Sequence, residues 1–583
     1  MDPNSGNKEI GSGKKELSME ARLMIAFGLM AVVLFVTPYI YKPAPPPADK
    51  KTQQTEEKKA ALPAEQPPAE KAKTPAKPAG PKAALEAAAV PAAGVIQASK
   101  EELYTVNTKV YKVVFSNRGA VVKSWILKKY KDHRDKPLDL VNPRAAEKTD
   151  NGPFSLLFKN QKPSFDPNWV NFVAKPAADN LGIDFEYSDG STVVRKSFKF
   201  DPASYTADVS TEVLMNGVAL PHLIEWRGGF GDPTIVNAQA SGHSLYHVTG
   251  ESSPTVKDVK AGKDGPVTTS GTYSFAGLED PYFTAVFLPK GNGSTTVTTF
   301  SDTVIGAPEG AGEEPHIGVA IGGDGENRFT LFVGPKDLDL MKQINPKLEQ
   351  LVDWGWFGFI AKPLFAGLNW LNDKYIHNYG WAIILLTVII NIVLMPLKFT
   401  SMKSAKKMQT LQPQIAAINA KYKEIPMRDP RQSDKNAEVM ELYKKNGVNP
   451  VGGCLPMVLQ LPFFFAFYKV LTVSVEMRGA PWLWVGDLSQ PETLSLRVLP
   501  VLLIITQFVS QKMTPAAGAD PSQQKIMMFM PLAMGFMFYY QSAGLVLYWL
   551  TGNLVAIAQQ WFTNRTMATP APAVIDVKPG KKK

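Results

Sequence analysis

Cysteine is all but missing: Cys454 is the single one among 583 residues. That excludes an intramolecular disulfide framework and any Cys-rich zinc site, and Cys454 reads as a small packing residue. No Walker A run occurs to cradle nucleotide phosphates, and no HExxH motif to hold zinc. His243 and His247 have metal-like spacing, but no third ligand accompanies them, so the pair reads as chance. No Asp, Glu, Arg or His stands in the middle of the long apolar runs, and no internal repeat is evident. A transporter or channel usually shows one or the other. These gaps point away from covalent, nucleotide-driven or metal chemistry, and no cofactor is expected.

What is present is clumped. Residues 1–22 are polar and mildly basic. Residues 23–41 are apolar, longer than the ~7–15-residue core of a signal peptide, and no small-x-small cleavage site closes them, so a retained anchor is expected. Residues 42–100 form a linker, with 11 Pro and 17 Ala between 43 and 100. Such a stretch has too few large apolar groups to fold and acts as an extended spacer. From 101 to 345 short alternating strands recur between Gly, Asn, Asp and Pro turns. Examples are 104–115, 119–127, 192–200, 206–214, 281–288 and 329–334, and together they suggest one large β-sandwich.

The remainder reads as membrane. Residues 354–376 are apolar but punctuated by Lys362, Pro363, Asn369, Asn372, Asp373 and Lys374, which suits a helix lying in the membrane interface. Crossing helices are expected at 379–397, 453–473, 498–512, 526–540 and 543–562. With the anchor these make six. Between them lie 398–449, expected as a helical hairpin, and the loops 474–497 and 513–525. A basic tail, 563–583, follows. The 398–449 stretch carries 11 Lys/Arg against 5 Asp/Glu. Positive charge in short loops favours the cytosol, so both termini, 398–449 and 513–525 are assigned there. The β region and 474–497 fall on the other side.

Ordered motifs fill this half: Gly355-Trp356-Phe357, Ala361-Lys362-Pro363, Gly380-Trp381-Ala382, Met395-Pro396-Leu397, Ser404-Ala405-Lys406-Lys407-Met408 and Leu411-Gln412-Pro413. Further on come the run from Gly447 to Pro456, Gln460-Leu461-Pro462-Phe463, Asp487-Leu488-Ser489, Gln511-Lys512-Met513, Met530-Pro531, the run from Gly544 to Trp549, and Asn553-Leu554. In this order over 354–562 they resemble the YidC/Oxa/Alb family of membrane protein insertases, and the layout resembles its long Gram-negative-type bacterial form. The resemblance implies a multi-domain membrane protein. Its six-span α-helical region would comprise the anchor plus a five-helix insertase core, joined to a large periplasmic β-supersandwich. It implies a polar groove open to the cytosol and to lipid and closed on the outer side. Nascent inner-membrane proteins would be received there, alone or with the Sec translocon, and released into the bilayer.

Polar residues inside apolar spans are the candidate groove: Thr387 and Asn391, which share a helix face, with Gln460, Gln507, Gln511 and Asn553. Each of these alone could equally make a helix–helix hydrogen bond. Pro462, Met530, Met534 and Trp549 are candidates for an adaptable apolar slide, with internal packing the plainer role for Trp549 and Thr387. Lys403, Lys406 and Lys407 are candidates for cytosolic docking of clients or ribosomes. The basic tail is a weaker contact for ribosomal RNA or lipid headgroups. No DNA partner is expected. Family members commonly carry an arginine where this chain has Asn391, so an uncharged groove working mainly by hydration and thinning is expected here. Lys398 and Lys469 read as snorkelling side chains. The alternatives are a transporter or channel, and a periplasmic enzyme on a membrane anchor, for which 354–562 would be dispensable.

Overall fold

The structure is a computed structural model. It describes residues 94–566 apart from short segments at 133, 145–150, 234–241, 292, 306–311, 324, 423–430, 449–454 and 514–520. The expected tail 1–22, the anchor, most of the linker, Cys454 and residues 567–583 lie outside the described residues.

The β region has three antiparallel sheets. A four-stranded meander runs Leu103–Asn107, Tyr111–Ser116, Val121–Lys131 and Pro137–Asp139. A five-stranded sheet has Glu313–Gly323 between Thr295–Ile305 and His222–Trp226. The ten-stranded sheet carries Phe283–Pro289, Asn327–Pro335, Thr206–Met215 and Thr192–Phe200 as neighbours. One expected strand, 104–115, is two. Thr108 turns the chain by accepting Val110 and Tyr111 N–H on its hydroxyl at 3.2 and 3.1 Å, and Tyr104 then pairs with Phe115 across the hairpin. Alternation of side chains survives a tight turn, so it did not mark the break.

The sheets meet on aromatic rings. Trp125 of the meander lies 6.1 Å from Trp226 of the five-stranded sheet, and Phe154 lies 5.2 Å from Phe198 of the ten-stranded one. At their centre is a fully buried lysine, Lys196. Its ammonium donates to the carbonyls of Gly119 and Phe154 at 2.7 Å and of Ala120 at 3.4 Å.

The β region leads through helix α1 (Leu338–Ile344), capped by Asp337, into nine further α-helices among the described residues. These are α2 (Gly358–Leu371), α3 (Tyr379–Val393), α4 (Met395–Thr410), α5 (Gln412–Lys421), α6 (Arg431–Lys445), α7 (Leu455–Val473), α8 (Val498–Met513), α9 (Pro521–Tyr539) and α10 (Ala543–Thr566). Helices α4, α5 and α6 occupy the expected cytosolic stretch and close a small core of their own around Met408, Leu411, Ile415, Tyr443 and Val448.

The expected span 379–397 is broken. Helix α3 ends at Val393 and a new helix starts at Met395, because Pro396 has no N–H to continue the ladder and fits a first turn. Among the described residues no single helix is long and apolar enough to cross a membrane alone. The segments Gly358–Ile376 and Tyr379–Val393 pass together but bend by 119°. The reason is length and dilution. Fifteen residues of α3 rise only about 22 Å, against a hydrocarbon core of about 30 Å, and amides interrupt α7, α8 and α10. The helices one by one therefore do not establish the count of six crossings.

Candidate functional site

Helix α3 is apolar through most of its length, so its two buried polar side chains stand out. Thr387 is fully buried and donates its hydroxyl back to Ile383 O at 2.6 Å. That satisfies it within its own helix. Asn391, also buried, has three partners. Its Nδ2 donates to Thr387 O at 2.8 Å, and its backbone carbonyl accepts from Gln559 Nε2 of α10 at 3.3 Å. Its Oδ1 accepts from Lys398 Nζ at 2.5 Å.

Lys398 thus brings an ammonium to Asn391, where the sequence suggested only an uncharged amide. Lys398 follows Asn391 by seven residues, two helical turns, and its stem folds back toward α3. Among the described residues no carboxylate is paired with it. A neutral amide steadies an ammonium without cancelling its charge, and such a charge is felt further in a half-buried site than in water. Beside it lies a narrow surface cleft, too tight to enclose a water, lined by Met395, Lys398, Phe399, Met402, Gln559 and Thr563. Lys469, the other expected snorkeller, instead pairs with Asp353 at 2.5 Å.

The other amides form separate rungs. Gln460 of α7 donates to the Tyr548 hydroxyl of α10 at 2.9 Å. Asn553 donates to Gln507 Oε1 of α8 at 2.8 Å and to Thr506 Oγ1 at 3.4 Å. Gln511 is half-buried in the last turn of α8. On α10, Tyr548 and Gln559 are eleven residues apart, close to three full turns, and so share a face. Asn553 lies off that face, toward α8. The structure therefore gathers Thr387 and Asn391 with Lys398 and Gln559, and holds Gln460 and the Gln507–Asn553 pair apart from them.

The slide candidates also divide. Trp549 packs inside the bundle, 4.8 Å from Phe464 and 5.0 Å from Phe538 between ring centres. Pro462 sits inside α7 and is half-buried, as are Met530 and Met534. The exposed apolar face of α9 is made by Phe529, Leu532, Phe536 and Met537. Of the docking lysines, Lys403 and Lys407 are exposed. Lys406 is tied in: its Nζ donates to Thr563 O at 3.1 Å, at the carbonyl end of α10 where a cation is favoured.

Sequence reasoning missed Gln559, Tyr548 and the inward turn of Lys398. Gln559 and Tyr548 were open to the same test that found Asn553, a polar group within an apolar run. Lys398 was not, because a lysine two residues past a proline reads as a span end.

Comparisons with known proteins fall on both halves of the chain. Residues 103–366 match the model of the YidC periplasmic domain, and 370–570 match that of the 60Kd inner membrane protein. The membrane protein insertase YidC of Geobacter metallireducens is 34% identical over 94% of this chain and 99% of its own length. That of Syntrophus aciditrophicus is 34% identical over 94% of this chain and 100% of its own. A solved structure of an active YidC insertase aligns over 81% of this chain and 95% of its own, at 20% identity and a TM-score of 0.36. With relatives so similar from end to end, the chain belongs to the YidC family of membrane protein insertases.

Proposed function

We propose that this protein is a membrane protein insertase and chaperone of the bacterial inner membrane. It takes nascent inner-membrane proteins into the notch around Asn391 and releases them into the bilayer, alone or with the Sec translocon. The anchor and five core helices cross the membrane, both termini and α4–α6 face the cytosol, and the β region is periplasmic. A charged or polar segment at the bilayer centre costs from about 3 to more than 10 kcal/mol. A partly hydrated notch lowers that barrier without any covalent step. The short α3 supports a locally thin hydrocarbon layer at the same place. Exposed Lys403 and Lys407 support docking of ribosomes or clients, with lipid headgroups as the other partner of the basic surface.

The observation that carries this reading is the buried Asn391 accepting from Lys398, an ammonium with no carboxylate partner among the described residues, beside a narrow cleft. Polar and acidic client segments meet a fixed cation there. In vesicles reconstituted with the full chain, Asn391→Leu should slow insertion of a polar-tailed client several-fold, the scale of about 1–2 kcal/mol for one charge-assisted hydrogen bond. Lys398→Met should do so most for acidic tails, and Lys398→Arg should retain activity. Unchanged insertion by Asn391→Leu would remove the notch from the mechanism. Photo-crosslinking from positions 391, 460 and 530 to a stalled nascent chain would show which rungs the client touches.

A further inference from the structure

The loop 474–497 closes the end of the bundle away from α4–α6, and it is held firmly. Asn378, the cap of α3, donates to Pro481 O at 2.9 Å. Ala543 and Gly544, at the start of α10, donate their N–H groups to Gln490 O and Leu488 O at 2.7 and 2.9 Å. Glu492 accepts the Leu499 N–H of α8 at 2.9 Å. One rigid loop therefore ties the starts of three helices.

At its tip is a two-residue hairpin. Trp482 and Val485 exchange both backbone hydrogen bonds at 2.8 Å, leaving Leu483 and Trp484 between them. Leu483 has φ +49°, a conformation that favours Gly or Asn at such a turn. Its side chain is 64% exposed and so has little protein contact to offset that strain. Trp484, Leu494 and Leu496 are exposed as well. Glu476 and Asp487 of the loop are half-buried. Glu492 is buried and accepts the Trp484 indole N–H at 2.6 Å, and Asp487 is occupied by Ser489. The Trp484 ring is thereby freed of its one polar demand. A tryptophan ladder joins the tip to the apolar helices, with Trp381 in the first turn of α3, Trp482 and Trp484 successively 5.6 Å apart.

We infer that the Leu483–Trp484 tip, with Leu494 and Leu496, is seated in the outer leaflet among phospholipid chains just below the headgroups, and so sets the depth at which the bundle rides. This rests on the membrane orientation proposed above. The occupant is lipid because the patch continues, ring by ring, from the start of an apolar helix, and because Trp and Leu at that level are what the bilayer interface selects. A strained, exposed leucine in a tight turn gains from lipid what it lacks from protein.

The sole cysteine makes the test direct. In a Cys454→Ala background, Leu483→Cys, Leu494→Cys, Ile389→Cys and Val218→Cys would each carry an environment-sensitive fluorophore in the full chain, reconstituted in phosphatidylethanolamine–phosphatidylglycerol vesicles. Positions 483 and 494 should be quenched several-fold more by lipids spin-labelled near the headgroup than by aqueous iodide. Val218, exposed on the β region, should show the reverse. Iodide quenching at 483 and 494 equal to that at 218, with Ile389 still protected, would overturn the inference alone. Loss of protection at Ile389 would overturn the membrane orientation of α3 and the inference with it. Leu483→Asn, which suits the turn, should leave the loop folded and make the label at 494 more accessible to iodide. An unchanged label there would also count against the seat.

Discussion

Lys196 shows what a single residue can hold together. Gly119, Ala120 and Phe154 have φ of +69°, +47° and +74°, and the carbonyls of all three point at its ammonium. For Ala120 and Phe154 that backbone is strained. Burial pulls the Lys196 pKa down, to about 7. Three carbonyl acceptors match three N–H donors and oppose that pull by favouring the charged form. Lys196→Met should leave those carbonyls unsatisfied and cost about 3 kcal/mol or more. Denaturation of the full chain in detergent, read by tryptophan fluorescence, should show the early loss of the β region. A change below about 1 kcal/mol would mean that the strained turns hold without it. In the sequence Lys196 is an ordinary lysine in an alternating strand, and its burial was not legible, because the acceptors come from 42 and 77 residues away. Asn391 was legible as a candidate for the opposite reason: its own apolar helix made it conspicuous.

Helices and strands were read where one period dominates. Thr192–Phe200 and Thr206–Met215 fall within a residue of expectation, and the apolar helices fall on the apolar runs. Misreadings sit at turns and breaks, as at Thr108 and Leu394, where one side chain's hydrogen bond or one proline outweighs the surrounding pattern. The fit of α3 under the 474–497 loop is a further element-scale feature. A Cβ at Gly380 would overlap the buried Trp482 indole. Gly380→Ala should therefore displace Trp482 and cost about 1–3 kcal/mol through overpacking. It should also loosen the hairpin, seen as faster hydrogen exchange at the Trp482 and Val485 amides. Exchange at the wild-type rate would show that the indole has room to move.

Across the whole molecule, the β region and the bundle share one continuous core. A polar joint is Arg478, on the 474–497 loop, paired with the fully buried Asp232 of the β region. The guanidinium also lies 5.6 and 5.5 Å from the Tyr282 and Phe283 rings and donates to Lys131 O at 3.0 Å. Removing one partner of such a pair takes the opposite charge away from a buried group. Arg478→Met should cost about 3–5 kcal/mol and expose the joint to limited proteolysis. Arg478→Met with Asp232→Asn should recover part of the loss. Equal damage from the single and double variants would mean that packing, not charge, makes the joint.

The sequence by itself determined the order of parts: a β region, apolar helices, a basic insert between them, and a family assignable from motifs along one half. Periodicity, apolar length and charge are local properties of a chain, so they survive without a fold. Which polar groups meet was decided only in three dimensions. Lys398 reaches back to Asn391, Gln559 joins them from 168 residues away, and Gln460 and Asn553 find other partners. Those pairings follow from the rotation and depth of each packed helix, which no single stretch of sequence carries.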